Sequence, residues 1–114
     1  MALLRQLDYF NLLPASYIEN DPLYTSMFVA NLGSLGMAAG YHHLYEYGTC
    51  SSFTMAGQVE ERPMVVDGKI VVKKILPLRF TYDERMDDGL NARFGIATFK
   101  RVLEQPFGVE PVLA

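Results

Sequence analysis

Three stretches of this 114-residue sequence carry side chains able to move protons or hold ligands. The densest is Asp83-Glu84-Arg85-Met86-Asp87-Asp88-Gly89, with four carboxylates and one guanidinium. A carboxylate there can serve as a general base. The run also has a structural reading, because acids at the start of a helix are stabilised by the positive end of its dipole. His42 and His43 form the second stretch. Imidazole changes charge near neutral pH, so one of the pair is a candidate base. If the segment is helical, Glu46 shares a face with one of them. Two ligands fall short of the three or four of a zinc site, so no metal centre is expected. The default for both histidines is a surface or interface position. The third feature is Cys50, which has no activating partner in sequence and reads as a small buried residue.

The loop Asn31-Leu32-Gly33-Ser34-Leu35-Gly36 is not a phosphate loop. It lacks both the Gly-Lys-Ser/Thr ending and the Gly-x-Gly-x-x-Gly spacing. Its glycines are expected to serve backbone geometry. Tyr41, Tyr45 and Tyr47 read as core or subunit-interface surface rather than a cofactor box.

Several elements must position these residues. Leu3, Leu4, Leu7 and Phe10 recur at helical spacing, which predicts a helix near 2–13, ended by Pro14. Asn20-Asp21-Pro22 marks a turn. Residues 25–31 read as a short buried strand and 52–59 as another. Residues 41–47 stay ambiguous between helix, strand and loop. Asp67-Gly68 between Met64-Val65-Val66 and Lys69-Ile70-Val71-Val72 predicts a hairpin over 63–73, because its tight turn needs positive φ angles. Residues 75–82 continue as a strand, with Pro77 at an edge or an irregularity for want of a backbone donor. A final helix over roughly 89–104 puts Ala92, Ile96, Phe99 and Leu103 on one face. Asp87 and Asp88 stand at its start, and Pro106 and Gly108 close it. The expected fold class is α/β or α+β, a mainly antiparallel sheet with terminal helices, built as a single domain over 1–114.

Composition bounds the partners. Half of the chain is hydrophobic and a fifth is charged, as in a globular protein. Seven Phe and seven Tyr in so short a chain favour a partner that covers aromatic surface. A formal net charge of −3, with no basic run beyond Lys73-Lys74, argues against nucleic acid. One cysteine forms no internal disulfide, which fits a reducing compartment. No stretch reaches the roughly 20 apolar residues of a membrane span. Arg5 and Asp8 interrupt the apolar start, unlike a signal peptide. The expectation is a soluble, cytoplasmic protein with no membrane or nucleic-acid partner.

Three blocks, taken together, carry a family resemblance. They are Phe28-Val29-Ala30-Asn31-Leu32-Gly33, then Gly57-Gln58-Val59-Glu60-Glu61-Arg62-Pro63 with the Val65–Val72 hairpin, then Thr81-Tyr82-Asp83-Glu84-Arg85-Met86-Asp87-Asp88-Gly89. In order and spacing, over about residues 25–106, they resemble the C-terminal half of the 2-oxoacid dehydrogenase acyltransferase catalytic domain. The family has Phe-Thr-x-Ser-Asn-Leu-Gly in the first block and Ser-Tyr-Asp-His-Arg-x-x-Asp-Gly in the third. The resemblance implies a coenzyme A-dependent acyltransferase fold related to chloramphenicol acetyltransferase. It also implies a homo-oligomer, a trimer with sites at subunit boundaries, and a missing N-terminal half or partner subunit. Coenzyme A and lipoamide are implied as substrates, with no tightly bound cofactor.

In the family a histidine takes the thiol proton and a serine hydroxyl stabilises the oxyanion. This sequence has Glu84 at the histidine position and Ala30 at the serine position. Loss of one oxyanion donor costs about 10²–10³ in rate, or roughly 3–4 kcal/mol. A carboxylate of ordinary pKa lies about four units below a thiol, which makes proton transfer uphill by roughly 6 kcal/mol. The resemblance therefore implies a family member with degenerate chemistry. Asp88-Gly89 would fix the motif backbone, with Arg85 as the partner of Asp88, while Asp83, Asn31 and Gly33 are structural. Two alternatives stand beside it. One is an active acyltransferase using Glu84, His42 or His43 as base. The other is a non-catalytic oligomer-assembly module.

Overall fold

The structure is a computed structural model describing residues 2–10, 12–86 and 88–106. Contacts divide the chain into two compact units, Met1–Tyr82 and Asp83–Ala114.

The first unit opens with α1, Ala2–Tyr9. The helix is shorter than its leucine spacing predicts. The Leu12 amide turns back to the Leu7 carbonyl at 2.8 Å, a five-residue closure that ends a helix in the manner of a Schellman motif. Pro14, in extended conformation, then starts a short helix that the sequence reading did not foresee, α2, Ala15–Ile18. Its carbonyl accepts from Tyr17 N at 2.9 Å. The Asn20–Pro22 turn forms as expected. Asp21 Oδ1 accepts from Leu23 N at 2.9 Å, so the aspartate side chain stands in for a backbone turn. Tyr24 donates its hydroxyl to Asp8 at 2.7 Å and ties this turn to α1.

Five strands follow: β1, Met27–Asn31; β2, Ser52–Ala56; β3, Glu60–Val66; β4, Lys69–Ile75; and β5, Leu78–Tyr82. β1, β2 and β5 form one sheet in that order, and β3 and β4 form a separate hairpin. β2 runs parallel to β1 and antiparallel to β5. The pairings of β2 with β5 and of β3 with β4 are antiparallel, as expected of a mainly antiparallel sheet, and the crossover that the parallel β1–β2 pair requires is the long segment 32–51. Only the 3-10 turn Gly33–Leu35 gives that segment regular structure. β2 lies between two strands, and Phe53, Thr54 and Met55 are buried in succession, so both faces of the strand are covered. With Cys50 and Gly57 they are the buried residues among those described, and Cys50, Phe53 and Met55 form the apolar core.

The hairpin turns where the sequence places it. Asp67 and Gly68 have φ angles of 51° and 75°, the positive pair of a two-residue I′ turn. Pro77 divides the run 75–82, so β4 ends at Ile75 and β5 starts at Leu78. With no N–H to give, Pro77 acts as acceptor, taking the Gly57 amide at 2.9 Å. β2 stops at Ala56, short of the expected 59, because Gly57 turns in against Ala39.

The second unit is the motif turn and α3, Gly89–Glu104. Asp88 caps the helix by accepting from Asn91 N at 2.9 Å. Ala92 and Phe99 on the expected apolar face are half-buried, whereas Ile96 and Leu103 are exposed. Asp87 and Gly108, also assigned to the helix ends, lie outside the described residues. No described helix is long and apolar enough to cross a membrane.

Candidate functional site

The register of the three-stranded sheet decides which side chains share a face. Phe28 pairs with Phe53 and Ala30 with Met55 across β1 and β2, while Phe53 pairs with Thr81 and Met55 with Arg79 across β2 and β5. Residues in register project to the same side, and alternate residues along a strand share it. One face therefore carries Phe28, Ala30, Phe53, Met55, Arg79 and Thr81.

Segment 41–45 lies over this face without helix or strand. The His42 ring stacks on Phe53 with centroids 4.2 Å apart and planes at 14°. Tyr45 meets Phe28 edge-on at 5.7 Å, and Phe28 stacks on Phe53 at 5.6 Å. The Arg79 guanidinium sits 5.5 Å from the Tyr41 ring. Of the three tyrosines expected in core or interface surface, Tyr41 and Tyr45 thus lie against the Ala30 face and both stay exposed, whereas Tyr47 meets Tyr24 edge-on at 5.6 Å. Phe28, named in the first block, and Phe53, which the sequence reading did not single out, are the anchors of Tyr45 and His42. Period-two alternation at 28 and 30 was the available signal, but it needed the register with β2 to acquire a meaning.

The Asn-Leu-Gly block has a structural explanation. The Leu32 amide donates to Ala56 O at 2.8 Å, which pulls the chain after β1 against the end of β2. A Cβ on Gly33 would stand 2.5 Å from the Gly57 carbonyl oxygen, so only glycine fits this approach. Asn31 clamps the turn from both sides. Its Oδ1 accepts from Ser34 N at 3.3 Å and its carbonyl from Ser34 Oγ at 2.8 Å. Ala30 is half-buried at the end of this construction, and its methyl group has no hydrogen to donate.

His42 and His43 are adjacent but differently held. His42 Nδ1 lies 2.6 Å from the His43 carbonyl oxygen, and the His43 side chain is exposed. Because 41–45 is not helical, the face that a helix would give one of the histidines and Glu46 does not form. Among the described residues, no group of three or more His, Cys, Asp and Glu side chains is placed to hold a metal. Cys50 is buried and donates its thiol to Ser52 O at 3.1 Å.

In the second unit Glu84 is exposed, with no hydrogen bond or ion pair among the described residues. Asp83 is engaged instead. Arg85 grips its carboxylate through Nε at 2.9 Å and Nη2 at 2.7 Å, and donates its backbone amide at 3.0 Å. These hydrogen bonds, the side-chain ones first, hold the Asp83 carboxyl below the usual carboxylate range. The same pairing raises the Arg85 guanidinium further. Arg85 was expected to pair with Asp88. It pairs with Asp83, two residues away, because Asp88 is committed to capping α3. Gly89 is the first residue of that helix.

With this geometry in hand, comparison with known proteins gives the class. The 2-oxoacid dehydrogenases acyltransferase (catalytic domain) family matches residues 20–109. The chain belongs to that family. It is similar to the lipoamide acyltransferase component of the branched-chain alpha-keto acid dehydrogenase complex of Pseudomonas putida, with 46% identity over 46 residues. That match covers 40% of this chain and 11% of the relative. It is also similar to the dihydrolipoyllysine-residue succinyltransferase component of the 2-oxoglutarate dehydrogenase complex of Azotobacter vinelandii, 39% identical over 49 residues. That match covers 43% of this chain and 12% of the relative. The fold is that of a probable dihydrolipoamide acetyltransferase from Listeria monocytogenes 4b F2365, with a TM-score of 0.64 at 19% identity. The superposition takes in 99% of this chain and 45% of that one. The matched segments are thus about a tenth of the curated relatives' length, and the whole chain spans under half of the solved neighbour.

Proposed function

We propose that this chain is the C-terminal half of an acyltransferase catalytic domain that retains the family fold and its thiol-ester ligands but has lost inherited acyl transfer. The ligand class is coenzyme A and a thiol acceptor such as lipoamide, bound as substrates rather than held as cofactors. The observation that carries the reading is Ala30. It stands where the family places its oxyanion donor, on a sheet face covered by aromatic rings, and offers only a methyl group. A tetrahedral intermediate there lacks a hydrogen bond worth roughly 3–4 kcal/mol of transition-state stabilisation. Glu84, at the position of the family's base, is exposed.

The reading includes a trimer, completed by the half of the domain that these residues do not represent. Its support is the exposed apolar surface. Val65, Ile70 and Val72 on one face of the β3–β4 hairpin are 71%, 77% and 69% exposed, more than an isolated folded chain ordinarily leaves uncovered. The test is a thiol-transfer assay with acetyl-coenzyme A and dihydrolipoamide, run on the native chain and on Ala30→Ser with Glu84→His. Neither is expected to turn over, since positioned binding by the rest of the domain supplies much of a bimolecular rate. Turnover by the native chain that disappears in Glu84→Gln would sink the reading and make Glu84 the base.

A further inference from the structure

Two independent contacts hold the His42 ring. Its face lies flat on Phe53, and its Nδ1 edge meets the His43 carbonyl oxygen at 2.6 Å. A carbonyl oxygen only accepts, so Nδ1 carries the proton and donates it. In the neutral ring the lone pair then belongs to Nε2. The stack sets the plane of the ring and the hydrogen bond sets its rotation within that plane. Nε2 is therefore a proton acceptor aimed by the protein. The His43 ring makes no hydrogen bond among the described residues, and its tautomer is not set.

Register places this acceptor. His42 covers Phe53, which pairs with Phe28, and Ala30 is the next residue on that face of β1. Arg79 stands on the same face, in register with Met55 beside Ala30, and brings a guanidinium to it. Tyr41, His42 and His43 together with Phe80, Thr81 and Tyr82 of β5 line an open cleft of about 570 Å³. A ligand reaching this cleft meets the His42 imidazole, and one wall of the cleft is Tyr41, whose ring lies 5.5 Å from the Arg79 guanidinium.

We infer that His42 is the proton acceptor of this site for a ligand thiol. The inference rests on the thiol-ester reading above and adds the group that takes the proton. In the step, the S–H bond breaks, the proton passes to Nε2, and a new N–H bond forms. The sulfur keeps the electron pair as thiolate, and the other ring proton stays on Nδ1, still donated to the His43 carbonyl oxygen, so the ring becomes an imidazolium. No other reactant is needed. His42 replaces the base missing at Glu84 but not the donor missing at Ala30, so it accounts for proton transfer without restoring acyl transfer.

The experiment is long-range ¹H–¹⁵N correlation of the imidazole nitrogens in the full chain labelled with ¹⁵N-histidine. There are two histidines, and His43→Gln assigns them while keeping the main-chain carbonyl. At pH above the imidazole titration, His42 is expected to show a protonated Nδ1 and a lone-pair Nε2. Coenzyme A is expected to move the Nε2 resonance upfield, and desulfo-coenzyme A, which lacks the thiol, is not. A His42 protonated at Nε2 in the free protein overturns the assignment alone. So does coenzyme A binding, seen in backbone amide shifts, that leaves Nε2 unmoved. Coenzyme A that moves no resonance at all overturns the thiol-ester reading and this assignment with it.

Discussion

Gly33→Ala is the sharpest test of how the Ala30 strand end is held. The new Cβ would lie 2.5 Å from Gly57 O and 2.9 Å from Gly57 C, both backbone atoms that no rotamer change can move aside. Reaching ordinary contact near 3.4 Å requires a shift of about 0.9 Å, the difference of the two distances. The neighbouring Leu32 N to Ala56 O bond, now 2.8 Å, would stretch to about 3.7 Å and cease to be a hydrogen bond. Losing it costs roughly 1 kcal/mol. The overpacking costs about 1–3 kcal/mol more. Reduced unfolded-chain entropy returns roughly 0.4–1 kcal/mol. The net expectation is a loss of about 1–3.6 kcal/mol, read as a lower urea midpoint at unchanged slope by far-UV circular dichroism. Gly40→Ala is the control, since an added Cβ there meets nothing within 4 Å. It should be neutral within about 0.5 kcal/mol. Equal midpoints for the two variants would refute the close-approach explanation of the Asn-Leu-Gly block.

Asp88→Ala removes the cap of α3 and should cost about 1 kcal/mol, with faster hydrogen exchange at the Asn91 amide. Unchanged exchange there would mean that the cap is not made in solution. Arg85→Gln should raise the Asp83 carboxyl towards its ordinary range, followed by NMR titration. The sign is that of a depressed carboxylate. Its stabilising contribution is present above the ordinary aspartate range and is lost as pH falls below that range through the folded value, and the variant should lose this acid dependence. An unmoved Asp83 titration would contradict the pairing. Sedimentation equilibrium should show self-association, most simply as a trimer, and a stable monomer at high micromolar concentration would count against the assembly proposed for this chain.

How much was legible in sequence varies with the range of the interaction. The β3–β4 hairpin was readable because an Asp-Gly turn between β-branched runs is a local requirement, met by two consecutive positive φ angles. α3 was readable for the same reason, since its cap, its periodicity and its terminating proline lie within one stretch of chain. That positions 30 and 84 hold an alanine and a glutamate is read directly from the sequence. Where α1 stops was not, because the closure from Leu12 to Leu7 competes with a leucine spacing that would allow the helix to continue. The Arg85 partner was misplaced because two carboxylates flank it, and capping geometry, not sequence distance, decides which one is free to pair. The environment of His42 lay furthest from sequence. Its tautomer is set by a carbonyl one residue away, and its ring plane by Phe53 on another element. That it lies on the same face as Ala30 is set by the parallel pairing of β1 with β2. Strand register is a long-range property that no single segment encodes, so only the folded sheet could bring an imidazole and Ala30 to one face.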